Sequence, residues 1–211
     1  MAYDLEEQEQ IAKMRAWWEQ YGTMVMIVVA ACLATVLAFQ GWRYYRVQQA
    51  ASASVLYQQL EQAGIANDHK RLRDIAAQIT SKYGGTAYGS MAALAAARAS
   101  LEAGDAAGAK TQFRWLIDNA SEEEFRDLAR MRLAIVLLDE KSYAEALALI
   151  ENKPQEAFTG IYAGLKGDIL VAKGEPGAAR AAYQLALDKI DAQSPYRGTI
   201  QAKLDALGEV K

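Results

Sequence analysis

From Tyr21 to Trp42 the chain carries no charged side chain, and residues 22–39 form an almost unbroken apolar run that includes Thr23 and Thr35. A helix rises about 1.5 Å per residue, so about 20 such residues cross about 30 Å of hydrocarbon. Trp17, Trp18 and Tyr21 flank the run on one side, and Trp42, Tyr44 and Tyr45 on the other. Amphipathic rings placed in this way mark the two headgroup levels of a bilayer. The pattern predicts one transmembrane helix over 22–42. A buried core helix would keep a polar stripe, and a cleaved leader would have a shorter apolar stretch without a long acidic segment before it. Cys32 follows Val29-Ala30-Ala31 as in a lipoprotein site, but the apolar chain continues beyond it, which would bury the modified sulfur. Ahead of the run, residues 1–21 form a short acidic segment in which Ile11, Met14 and Trp18 fall at helical spacing.

Beyond Trp42 apolar residues recur at helical rather than strand spacing, and Gly or polar pairs cut the pattern at intervals. The expected helices cover 44–63, 68–82, 87–103, 105–119, 122–139, 143–151, 156–172, 176–190 and 196–207. Gly104-Asp105 reads as a C-terminal glycine followed by an N-cap. Ser121 with Glu124, and Ser142 with Glu145, fit the capping box. Pro176 and Pro195 fall where a first helical turn tolerates proline.

The breaks recur at Asn67-Asp68, Gly104-Asp105, Lys141-Ser142 and Gly174-Glu175. After each of the last three, the fifth position is small (Ala109, Ala146, Ala179) and the ninth bulky (Phe113, Ile150, Tyr183). Ala97, Ala134 and Gly167, seven positions before those turns, supply the facing small residue. A small residue lets two helices of a hairpin approach closely, and a bulky one fills the groove to the next hairpin. A period of about 34 residues with this rhythm describes stacked helical hairpins and resembles the tetratricopeptide repeat. The fullest copy runs from Leu165 through Gly167, Gly174-Glu175, Ala179 and Tyr183 to Leu187; the one at 47–79 is weakest. The predicted fold is therefore all-α, with one N-terminal transmembrane helix and then an α-solenoid of three to four hairpins over 43–211. Residues 195–207 would cover the last hairpin with Ile200, Leu204 and Leu207. A non-repeating helical bundle rich in alanine is the competing architecture.

Composition narrows the function. About one residue in five is alanine, the strongest helix former. A single Cys and a single His leave no disulfide framework and few ways to build a hydrolase triad or a zinc site. Asp4, Glu6, Glu7, Glu9 and Glu19 outnumber Lys13 and Arg15 by the whole formal net charge of −3. The remainder is neutral and offers no basic surplus for nucleic acid. His69 stands in a charged stretch at a helix start, Gly84-Gly85 lacks the rest of a phosphate loop, and Glu122 to Glu124 complement a helix N-terminus. No catalytic, cofactor or metal residue is expected.

What remains is binding. In tetratricopeptide stacks the first helix of each hairpin lines the inner groove, which here suggests Met91, Leu94, Arg98 and Leu101, then Met131, Ile135 and Leu138, then Gly164, Asp168 and Val171. These mostly apolar positions suit an extended hydrophobic or unfolded segment; they equally describe ordinary inter-helix core. Membrane orientation stays open, because Lys13 and Arg15 balance Arg43 and Arg46 under the positive-inside rule.

The acidic N-terminus with Trp17-Trp18-Glu19-Gln20-Tyr21-Gly22, the membrane helix, Gly41-Trp42-Arg43-Tyr44 and the alanine-rich repeats together closely resemble the YfgM family of Gram-negative bacteria. Tyr83-Gly84, Thr86-Ala87-Tyr88 and Arg132-Leu133-Ala134 extend the match along the chain. The resemblance implies an ancillary subunit of the SecYEG translocon, anchored in the inner membrane with the N-terminus cytoplasmic and the repeats periplasmic. It implies a PpiD-type membrane-anchored chaperone as neighbour and hand-over of emerging clients, and it brings no catalytic residue. A cytoplasm-facing adaptor on the same solenoid, or an enzyme with an unrecognised polar site, are the alternatives the residues leave.

Overall fold

A computed structural model describes residues 2–208, with side chains from Gln8 onward. The side chains of Asp4, Glu6 and Glu7 and the last residues of the domain predicted to run to 211 lie outside the described part. The described residues form nine helices and no strand. These are α1 (Ala2–Ile65), α2 (His69–Tyr83), α3 (Ala87–Glu102), α4 (Ala106–Asn119), α5 (Glu123–Asp139), α6 (Tyr143–Ile150), α7 (Glu156–Lys173), α8 (Pro176–Lys189) and α9 (Tyr196–Ala206). The chain divides into two units, one up to Gln48 and one from Gln49.

The first unit lies within α1, a helix long and apolar enough to cross a membrane. Its apolar side chains are left open, Met24 at 66% and Leu37 at 71% exposure. The Thr35 hydroxyl donates to the Ala31 carbonyl at 2.8 Å, so its polarity is satisfied inside the helix, as a spanning segment requires. The flanking aromatics cluster at each end: Trp17 and Tyr21 rings lie 5.8 Å apart and Phe39 and Trp42 6.2 Å apart. The Arg46 guanidinium sits 5.3 Å from the centre of the Trp42 ring, within cation–π range. The separate helix expected to begin at 44 does not exist, since α1 runs unbroken from Ala2 to Ile65. No proline interrupts α1, and Gly41, just ahead of the expected start, costs about 1 kcal/mol, too little to end a helix.

The second unit is built from hairpins. The last turns of α1 pair with α2, then α3 with α4, α5 with α6 and α7 with α8. All four turns share one backbone geometry. Asn67, Gly104, Lys141 and Gly174 take positive φ values of 54°, 75°, 63° and 88°. The next residue's N–H reaches five positions back, as in Asp105 to Ser100 (2.8 Å) and Glu175 to Leu170 (2.9 Å). These are Schellman closures, which satisfy carbonyls that a helix end would otherwise leave open. The following residue opens the next helix. Asp68 and Asp105 accept from Arg71 N–H at 3.0 Å and Gly108 N–H at 2.8 Å. The two capping boxes are absent, however: neither Ser121 nor Ser142 caps a helix with its side chain. Glu123, Arg126 and Arg130 form a charged cluster at the start of α5 instead.

The small and large positions do what their spacing predicts. Ala97, Ala109, Ala134, Ala146 and Ala179 have no exposed surface, and Phe113, Ile150 and Tyr183 are nearly as buried. The first hairpin departs from this scheme, with Leu60 and Leu72 where the others place small residues and Ala76 where they place a bulky one. Ala109→Leu or Ala179→Leu is expected to cost about 1–3 kcal/mol through overpacking. A thermal melt reads this as a fall of several degrees, and an unchanged melt would contradict the repeat register.

Helix α6 is the shortest, and the chain after it is held by a buried carboxylate. Asp127 on α5 is 1% exposed. It accepts from the Gln155 N–H at 2.9 Å and from Arg130 at 2.8 Å, and the Tyr162 hydroxyl donates to its backbone carbonyl at 2.8 Å. The 151–155 segment is thereby tied to α5 before α7 starts. At the other end α9 closes the stack. Ile200 and Leu204 are buried, Leu207 packs partly against the same cluster, and Arg197 donates to the Leu187 carbonyl at 2.7 Å.

Candidate functional site

Three concavities follow one another along the first helices of the hairpins. The largest, about 630 Å³, lies between the end of α1 and α3, with Tyr57, Glu61, His69, Arg98 and Glu102 on its walls. The second, about 450 Å³, lies between α3 and α5: Leu94, Leu101 and Leu128 surround Phe113, with Arg98 and Arg132 at the edge. The third, about 440 Å³, is enclosed by α5, α7 and α9. Met131, Ile135, Leu138, Ile161, Leu165 and Ile200 make it the most apolar of the three, while Asp168 and Lys203 stand beside them.

The sequence-predicted groove residues divide accordingly. Leu94, Arg98 and Leu101 meet in the second concavity; Met131, Ile135, Leu138, Gly164 and Asp168 meet in the third. Met91 and Val171 line none of the three, although both are exposed, at 36% and 41%. Met91, seven positions before Arg98, and Val171, seven after Gly164, share the face of the lining residues but stand near the ends of α3 and α7. Tyr196, Thr199, Ile200 and Lys203 of α9, the helix expected only to cover the last hairpin, also line the third concavity. His69, expected on an open surface, is half-buried and lines the first concavity.

Packing and charge hold the third concavity in shape. Gly164 sits opposite Ile200, and a Cβ there would lie 3.2 Å from the Ile200 Cδ1 atom. The missing side chain is what lets α9 close in on α7. Lys203 donates to both Asp168 oxygens at 2.7 and 2.8 Å, and the Tyr183 hydroxyl donates to the same carboxylate at 2.8 Å. Asp168 therefore joins α7, α8 and α9.

Burial, followed by the Asp168 carboxylate, pushes the Tyr183 phenol above its ordinary value. Burial, followed by Asp127, does the same to Tyr162. A raised folded-state value means that the stabilisation is fully present below the unfolded tyrosine pKa of about 10 and is lost as pH rises above it. Melting temperature is thus expected to decline steeply above about pH 10, and Tyr162→Phe to flatten that decline. A Tyr162→Phe protein with an unchanged alkaline limb would contradict the assignment. No group of His, Cys, Asp and Glu suited to a metal ion occurs among the described residues.

A sequence model described as a tetratricopeptide repeat-like domain matches residues 15–209. The chain belongs to this family. Several curated proteins are similar to the chain over nearly their whole length. One from Haemophilus influenzae is 28% identical over 193 residues, covering 88% of this chain and 91% of its own. One from Neisseria gonorrhoeae is 26% identical over 211 residues, covering 98% and 100%. One from Escherichia coli K12 is 24% identical over 201 residues, covering 95% and 96%. Each is named an ancillary SecYEG translocon subunit. No solved structure matches the chain. With that family goes a non-enzymatic role, that of a repeat protein working through surfaces.

Proposed function

We propose that the chain is a membrane-anchored accessory subunit of the SecYEG protein-export channel, with its repeat domain at the exit side of that channel. Residues 22–42 cross the inner membrane, residues 1–21 stay in the cytoplasm and the hairpins from 43 onward work in the periplasm. The groove along α3, α5 and α7 holds apolar segments, either of emerging clients or of a PpiD-type membrane-anchored chaperone to which they are handed. The observation that carries this reading is the joint presence, in one chain, of an uncovered bilayer-length helix and a hairpin stack with apolar concavities. The relatives' shared name supports the choice of channel. Apolar contact contributes about 25 cal/mol per Å² buried, so open concavities of this size favour weak, reversible binding.

Sidedness is tested by fusing alkaline phosphatase after Lys211. Phosphatase activity is expected; silence from a stably expressed fusion would favour the cytoplasmic adaptor. Photocrosslinkers at Arg98 and Ile135 are expected to capture channel subunits, a chaperone or exported chains, and capture of cytoplasmic proteins alone would overturn the assignment.

A further inference from the structure

We propose that the groove selects among apolar segments by charge, preferring one that carries an acidic side chain close to a large apolar anchor. This rests on the peptide-binding reading above and adds the chemistry of the occupant. The anchor position is the third concavity, where Met131, Ile135 and Leu138 of α5 face Ile161 of α7 and Ile200 of α9. Apolar side chains make up most of its lining, and its charged pair, Asp168 with Lys203, is already matched within the protein, so a large apolar side chain gains most there.

The charge preference comes from α5 as well. Arg132 follows Met131 directly and lines the adjoining concavity. Four charged residues border these two concavities: Arg98, Arg132, Asp168 and Lys203. Arg98 is paired with Glu102 at 2.8 Å, and Asp168 with Lys203 at 2.7 Å. Arg132 alone of the four has neither ion pair nor hydrogen bond among the described residues. An exposed, unpaired guanidinium beside Leu94, Leu101 and Leu128 presents a planar set of donors next to apolar surface. That combination favours a carboxylate and repels a lysine or arginine at the same place.

The test uses the full chain in zwitterionic detergent micelles, with empty micelles subtracted, and short fluorescein-labelled Gly/Ser peptides bearing one tryptophan. Two positions after the tryptophan each peptide carries aspartate, serine or lysine. Fluorescence anisotropy is expected to rank them aspartate, serine, lysine, with about threefold between neighbours, the scale of an exposed ion pair. The spread should shrink in high salt. Arg132→Glu, an exposed substitution, is expected to reverse the order. Thr199→Trp, at the exposed lip of the anchor pocket, is expected to weaken all three peptides about tenfold. Equal affinities in the parent, or an order that Arg132→Glu leaves unchanged, would overturn the charge preference while leaving the groove intact. Absence of binding by any peptide, or binding that Thr199→Trp does not weaken, would overturn the preference and the groove reading together.

Discussion

Asp127→Ala is expected to remove about 3 kcal/mol of stability, the cost of deleting one partner from a buried ionic group. The side chain is 1% exposed, so water cannot take its place. Arg130, 17% exposed at its side chain, would lose the nearer of its two carboxylate partners and keep Glu123 at 3.1 Å, and the Gln155 N–H would lose the acceptor it meets at 2.9 Å. Each lost acceptor carries its own desolvation cost of about 1–3 kcal/mol. For a unit of this size the fall in melting temperature is about 6–12 °C. Asp127→Asn keeps an oxygen for Gln155 and removes only the charge, so it is expected to lose about half as much. Chemical denaturation of the two variants measures both numbers. If alanine and asparagine cost the same, the bond to the 151–155 segment contributes nothing and the ion pair carries the whole effect.

Gly167→Leu is expected to be more damaging than either alanine-to-leucine change, at about 3 kcal/mol or more. A Cβ at this position would fall inside the van der Waals radius of the Tyr183 ring. That ring is 2% exposed and held by its hydrogen bond to Asp168, so it has nowhere to turn. The smaller change Gly167→Ala separates two effects of opposite sign. Helix propensity favours alanine by about 1 kcal/mol, whereas the clash costs about 1–3 kcal/mol. A net loss is expected because the clash is with three ring atoms of a fixed residue. Combining Gly167→Ala with Tyr183→Leu should recover part of the loss, and the double-mutant cycle measures the coupling. A stabilised Gly167→Ala protein would mean that α7 and α8 are not in close contact here.

The hairpin turns were legible because their chemistry is local. Gly104 and Gly174 announce a left-handed closure, and Asp68 and Asp105 an N-cap, within a few residues of each helix end. Lys141 takes the same positive φ without being glycine; its place follows from the recurrence of the breaks along the chain. The unbroken passage of α1 into the first hairpin was not legible, since aromatic belts mark membrane depth and do not end a helix. The capping boxes failed for a similar reason. A Ser followed by Glu three residues on is permission to cap, and at α5 the helix starts one residue later, with Glu122 at the N-cap and the Ser121 hydroxyl turned to the Gly85 carbonyl.

The site was half legible. Leu94, Arg98, Leu101, Met131, Ile135 and Leu138 could be placed because helical spacing fixes which residues share a face. Met91 and Val171 share that face but stand near the ends of α3 and α7, and spacing around a helix does not say how far along it a concavity reaches. Lys203 and Tyr196 could not be found, because their role depends on where a helix 35 residues beyond Asp168 comes to rest.

The sequence alone determined the apolar run, the helices, their period and the small residues that permit close pairing, all properties of residue order along the chain rather than of contacts between distant segments. Only the tertiary structure decided that α9 closes the third concavity, that Asp127 holds a segment 28 residues away, and that Arg132 finds no partner among the described residues. Those outcomes depend on packing between distant segments, where geometry selects among partners that residue spacing leaves equivalent.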